Sequence, residues 1–120
     1  MITLKTLPQA IAQEVFDQVK NHLLTQNKKS LLPNEIRYLG NGCAYRGENG
    51  LKCAVGCLIG DDEYTSGIEG MEWASIATGR RILNHKNMII DLQNAHDTFN
   101  KIEDLVIDLK NIAAKYNLNY

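Results

Sequence analysis

Three cysteines and three histidines are the residues of this chain that could hold a metal ion. Structural zinc sites combine thiolates with imidazoles, and Cys43, Cys53 and Cys57 lie close together in the sequence. The histidines that could complete such a site are His22, His85 and His96. The C-x9-C and C-x3-C spacings lack the C-x2-C pair of a zinc knuckle, and cysteine is often buried for packing alone. We therefore predict packing thiols and no bound cofactor, with zinc as the alternative.

A cysteine nucleophile is a second chemistry that the residue types allow. Cys57 falls near the start of a short predicted helix, where the helix dipole lowers a thiol pKa. His96 and Asp97 could then act as the base and the group that orients it. However, His96 lies on the apolar stripe of its own helix, which is typical of a core histidine. We therefore favour a protein that is not an enzyme, with Cys57, His96 and Asp97 as the catalytic alternative.

The third pattern combines cations with an aromatic ring. Arg37, Tyr45, Arg46 and Lys52 surround a glycine-rich stretch, and together they form the best surface in the chain for an anion and a ring. Neither a P-loop nor a G-x-G-x-x-G fingerprint is present. We predict these four residues as the binding surface, for a partner protein or alternatively for a nucleotide.

A β-hairpin is the element expected to position the cysteines and the cations. A three-residue loop at 48–50, with Gly50 in the left-handed position, sets the pairing register of the two strands. In that register the apolar side chains lie on one face of the hairpin and the two cations lie on the other face. In this register Tyr45 lies opposite Cys53, and Cys43 lies opposite Val55. The side chains predicted to face inward are Cys43, Tyr45, Leu51, Cys53 and Val55. Arg46 and Lys52 should face outward.

Four amphipathic helices are predicted from the spacing of apolar residues. The first spans about 8–27, the second begins at about 71, the third begins at 87, and the fourth spans 100–117. The fourth helix has the most regular apolar stripe. With the hairpin, this pattern predicts an α+β class, mostly helical, in a single domain over 1–120. The amphipathic last helix leaves self-association into a homo-oligomer open.

Charge and length exclude several classes of protein. The 13 basic and 14 acidic side chains give a net charge of −1, which offers no overall attraction for nucleic acid. No apolar run approaches the roughly 20 residues that cross a bilayer, and the N-terminus lacks a signal-peptide pattern. We expect a cytoplasmic protein without a membrane partner.

The segments CAYRG at 43–47, GLKCAVGCLI at 50–59 and DEY at 62–64 carry a family resemblance. The chain resembles a family of small proteins from tailed bacteriophages and prophages that has no settled activity. The resemblance covers the first helix and this core up to about Gly70, and it departs from the family where Gly60 replaces an expected proline. It implies a phage or prophage accessory protein in the bacterial host. Small phage proteins often act by binding, so we expect this one to inhibit a host defence protein, or alternatively to sequester a nucleotide signal.

Overall fold

A computed structural model describes residues 1–32 and 43–120 of the chain. Four α-helices are present: α1 (Ala12–Gln26), α2 (Trp73–Gly79), α3 (Lys86–Thr98) and α4 (Ile102–Lys115). Helix α3 packs against both α2 and α4, and α1 packs against α4. No helix in the described part of the chain is long and apolar enough to cross a membrane.

The ends of α1 show how the local sequence sets its limits. The helix begins later than predicted, because residues Leu7–Gln9 form a separate 3₁₀ turn. The backbone N–H of Ile11 donates to Glu14 Oε1 at 3.1 Å, which satisfies a donor at the helix start. The helix ends at Gln26 as predicted, where Asn27 adopts a left-handed conformation with φ of 51°.

One cluster of buried side chains joins the four helices. Helix α1 contributes Val15, Phe16, Val19 and Leu23, and α4 contributes Leu105, Leu109, Ile112 and Ala113. These positions recur every three or four residues, so each helix buries one face. Burial of each large aliphatic side chain stabilises the fold by about 1.5–3 kcal/mol, and the apolar stripes therefore hold the helices together.

The predicted hairpin is absent from the described residues, and the α+β class is wrong. These residues contain no β-strand, and an isolated bridge joins Leu31 to Cys43. The predicted loop itself forms: residues Glu48–Gly50 make a 3₁₀ turn in which Gly50 has a φ of 76°, and the Gly47 N–H donates to the Leu51 carbonyl at 2.8 Å. Pairing does not continue beyond this turn. The fold is all-α.

The backbone N–H groups that would pair across a hairpin donate instead to side chains of other elements. Both the Tyr45 and Arg46 N–H groups donate to the carboxylate of Glu69, at 2.9 and 3.1 Å. The Val55 N–H donates to Gln93 Oε1 of α3 at 2.9 Å. Because each backbone donor forms a bond elsewhere, the segment is held in place without a cross-strand ladder.

The predicted alternation of inward and outward residues fails for the same reason. Ala44 and Tyr45 are neighbours, yet both are buried, at 2% and 7% exposure. Arg46, predicted to face outward, keeps only 18% of its side chain exposed. Consecutive buried residues are incompatible with a half-buried strand, whose side chains point to opposite faces.

Candidate functional site

A cavity of about 470 Å³ lies between α3, the start of α2 and the segment around Cys43. Its volume falls within the range of small-molecule sites, about 300–1,000 Å³. The described residues that line it are Cys43, Ala44, Tyr45, Cys53, Gly70, Met71, Glu72, Trp73, Ala74, Ile90, Gln93, Asn94 and Asp97. The lining combines apolar and aromatic side chains with several polar and charged ones, so this cavity is the main candidate for a binding site.

Asp97 is the most heavily hydrogen-bonded side chain of the cavity wall. Its Oδ1 accepts from His96 Nδ1 at 2.8 Å and from Gln93 Nε2 at 2.7 Å, and the Cys43 thiol donates to the same carboxylate. Burial alone would raise the pKa of Asp97, but the hydrogen bond and the electrostatic attraction to the His96 ring, with the hydrogen bonds from Cys43 and Gln93, outweigh burial and lower it. The carboxylate is therefore ionised at neutral pH.

His96 is completely buried, and both of its ring nitrogens are engaged. The backbone N–H of Ser30 donates to Nε2 at 2.9 Å, so Nε2 is an acceptor and the proton resides on Nδ1, facing Asp97. This pattern describes a neutral imidazole in one tautomer. With no nitrogen left to take a proton from a thiol, His96 in this arrangement has a structural role, as expected of a core histidine.

Cys43, His96 and Asp97 are also close enough to suggest a metal site, since their ligand atoms all lie within 4.8 Å of one another. Cys53 and Cys57 do not belong to this group. A metal on His96 Nδ1 would displace the proton to Nε2, where it would face the Ser30 N–H donor. Metal-ligating histidines instead direct their second N–H to an acceptor. The observed hydrogen bonds therefore do not fit a metal ligand at His96.

The three thiols are protonated in their surroundings. Burial raises the pKa of Cys43 to about 12 and that of Cys57 to about 12, and it also raises the pKa of Cys53. The nearby cations Lys52 and Arg46 lower the pKa of Cys57 less than burial raises it. Since the thiolate is the reactive species, none of these cysteines has the electrostatic surroundings of a nucleophile.

The other two predicted zinc ligands bond to backbone carbonyls. Nε2 of His22 lies 2.9 Å from the Lys52 oxygen, and Nε2 of His85 lies 2.7 Å from the Ala10 oxygen. Burial lowers the pKa of His22, which favours its neutral form. Both histidines thus link loop backbone to the rest of the fold.

The predicted binding surface is only partly assembled in the structure. Tyr45 is buried, and its hydroxyl donates to the Met71 carbonyl. The Arg46 guanidinium donates to the carbonyls of Gly56 and Ile59, both at 2.7 Å. Lys52 is about one-third exposed. Arg37 lies outside the described residues.

Trp73 is the residue of the cavity that the sequence patterns did not single out. It begins α2, is 3% exposed, and its indole Nε1 is buried with no hydrogen-bond partner in the residues described. A buried donor without a partner costs about 1–3 kcal/mol, which makes the site unusual within this fold. Its helical spacing predicted only a core position.

The chain matches no protein-family model, no curated protein and no solved structure.

Proposed function

We propose that this protein acts by binding rather than by catalysis, as a phage-type accessory protein that inhibits a host defence protein. The phage origin is the one implied by the resemblance of its CAYRG and GLKCAVGCLI segments. The proposal places the protein in the bacterial cytoplasm, where it would meet its target.

The binding proposal is supported by the histidine and cysteine side chains, which form contacts within the fold that leave them unsuited to catalysis. All three histidines bond to backbone groups, and all three thiols have raised pKa values. An enzyme of the cysteine type needs a thiolate and a base with a free nitrogen. Neither is found in the described residues, whereas a binding protein requires neither.

Lys52 is the predicted contact residue that a partner could reach without disturbing the fold. Its Nζ lies 3.9 Å from Asp61, whose side chain is 91% exposed. Arg46 is unsuitable as a test position, because its removal would leave two backbone carbonyls without their donor. The proposed contact surface is therefore centred on Lys52 and Asp61.

The test is purification of the full chain from a bacterial host, followed by native mass spectrometry. We expect one host protein in a fixed stoichiometric ratio with the wild-type chain. The Lys52→Glu variant should lose this partner, and the exposed control variant Lys86→Glu in α3 should keep it. Thermal unfolding of each variant checks that it is folded. Absence of a stoichiometric partner, or its retention by Lys52→Glu, would refute the proposed surface.

The same measurement separates the alternatives. A nucleotide retained by the chain would favour the signal-sequestering alternative over a protein target. The cavity offers little support for it, because the charged side chains among its described lining residues are Glu72 and Asp97, which would repel a phosphate.

A further inference from the structure

We infer that the cavity binds a small organic cation, an ammonium or guanidinium group, through the carboxylate of Asp97. This inference stands on the cavity itself and does not depend on the proposed host target.

The charge of Asp97 is the first argument. Its hydrogen-bond donors are His96, Gln93 and Cys43, none of which is a lysine or an arginine. Within the described chain, no lysine or arginine forms an ion pair with this carboxylate. Its side chain is 19% exposed. A half-buried carboxylate without a lysine or arginine partner in the described chain would gain further from a cation with which it could form charge-assisted hydrogen bonds.

The charge around Asp97 selects the same class of ligand. Glu72, at the residue before α2, is exposed and adds a second negative charge to the lining. Lys29 is a nearby cation, since it lowers the pKa of Cys43, but its Nζ lies over the Phe99 ring, 5.9 Å from the centroid. It does not line the cavity. The lining therefore favours a cation and disfavours an anion.

The aromatic walls supply the third argument. Tyr45 and Trp73 both line the cavity, and aromatic faces attract organic cations. The volume of about 470 Å³ admits such a ligand but not a folded domain. Together these features describe a site for a small organic cation.

The chain contains a single tryptophan, so occupancy of the cavity can be observed directly. The experiment titrates the full chain with n-butylguanidinium and with its neutral analogue n-butylurea. Binding is followed by Trp73 fluorescence and by the single indole N–H signal in a ¹H–¹⁵N spectrum. We expect saturable changes with n-butylguanidinium and at least about tenfold weaker binding of n-butylurea. Equal binding of the two analogues would overturn the inference.

Two variants assign the effect to the cavity carboxylates. Asp97→Asn keeps an acceptor oxygen for its neighbours and should weaken n-butylguanidinium binding about tenfold or more. Glu72→Gln removes an exposed charge and should weaken it about twofold to fivefold. The control Glu103→Gln changes an exposed residue of α4 and should leave affinity unchanged. If Asp97→Asn fails to fold, Glu72→Gln and the n-butylurea comparison decide the outcome. Unchanged affinity in both cavity variants would overturn the inference.

A second arm identifies the source of the cation. Agmatine represents a free small molecule, and N-acetyl-arginine methylamide represents an arginine side chain of a partner protein. Saturable binding of either probe supports the inference, and the tighter of the two identifies the source. Dissociation constants above about 10 mM for both would overturn it, because such binding adds less than about 3 kcal/mol.

Discussion

Replacement of Glu69 by alanine should lower the free energy of unfolding by about 3–4 kcal/mol. The Glu69 carboxylate accepts three hydrogen bonds: from the N–H of Tyr45 at 2.9 Å, from the N–H of Arg46 at 3.1 Å, and from the Tyr64 hydroxyl at 2.7 Å. These bonds connect a residue just before α2 with the segment that follows Cys43. Alanine removes all three at once.

The magnitude follows from the number of bonds and their exposure. A hydrogen bond to a charged group contributes about 1.5–3 kcal/mol, and we use the lower limit because Glu69 is only partly buried. Three such bonds give about 4.5 kcal/mol, from which about 1 kcal/mol is subtracted for the side-chain freedom that glutamate loses on folding. Glutamine keeps one acceptor oxygen but turns an NH₂ group toward a donor. Glu69→Gln should therefore lose about 2 kcal/mol.

The assay is urea unfolding followed by Trp73 fluorescence and far-UV circular dichroism. The matched control is Glu48→Ala, an exposed residue of the loop Glu48–Gly50, which should change stability by less than about 0.5 kcal/mol. An unchanged m-value would show that the denatured state is the same in all variants. A loss below about 1 kcal/mol for Glu69→Ala would mean that the segment is held by other contacts, and our account of the missing hairpin would fail.

Three further outcomes are expected. The pKa values of Glu63 and Asp97 are lowered in the folded state, Glu63 by N–H bonds that outweigh burial. The two carboxylates therefore stabilise the fold at pH values above their unfolded-state pKa of about 4, and this stabilisation is lost as the pH falls through their lower folded-state pKa values. The urea concentration at the unfolding midpoint should decrease when the pH is lowered below about 4. A stability that is flat from pH 6 to about pH 3 would contradict this. Burial raises the pKa values of the three cysteine thiols, so they should react slowly with iodoacetamide at pH 8. Intact-mass measurements should show a reaction at least about tenfold slower in the native chain than in the urea-unfolded chain. Similar rates in the two states would contradict buried thiols. A Cβ at Gly56 would lie 2.2 Å from the Tyr45 carbonyl oxygen, so Gly56→Ala should lower the free energy of unfolding by about 3 kcal/mol or more. At Gly67 the nearest atom to a Cβ is 3.8 Å away, so Gly67→Ala should be tolerated. Equal stability of these two variants in urea would show that the close approach at Gly56 is not required.

Helices were predictable from this sequence because their determinants are local. The apolar stripe of α4 identified its buried residues Leu105, Leu109 and Ile112, and Asn27 marked the end of α1. The start of α1 was less predictable, since Thr6 has the residue type of a cap but its hydroxyl accepts from Thr3 instead. Local propensity specifies the helical segments, and competing turn contacts shift their ends.

The hairpin prediction shows where local reasoning stops. The predicted three-residue loop at 48–50 forms, with Gly50 in the left-handed region. Whether strands follow depends on which partner satisfies the flanking N–H groups, and the partners here are Glu69 and Gln93, distant in the sequence. No periodicity indicates that a glutamate in one loop will accept from the backbone of another. The candidate site was unpredictable for the same reason, because His96 and Asp97 meet Cys43 rather than Cys57.

The same use of side chains explains why the cavity wall contains an ionised carboxylate. In the described part of this small all-α fold, the loops have no β-ladder and rely on partly buried carboxylates and amides to satisfy their N–H groups. Most of these acceptors are saturated by backbone donors, as Glu69 is. Asp97 differs, because its partners are the side chains of His96, Gln93 and Cys43. Asp97 supports two loop segments through His96 and Gln93, which accept the Ser30 and Val55 N–H groups, while its partly exposed carboxylate lines the cavity.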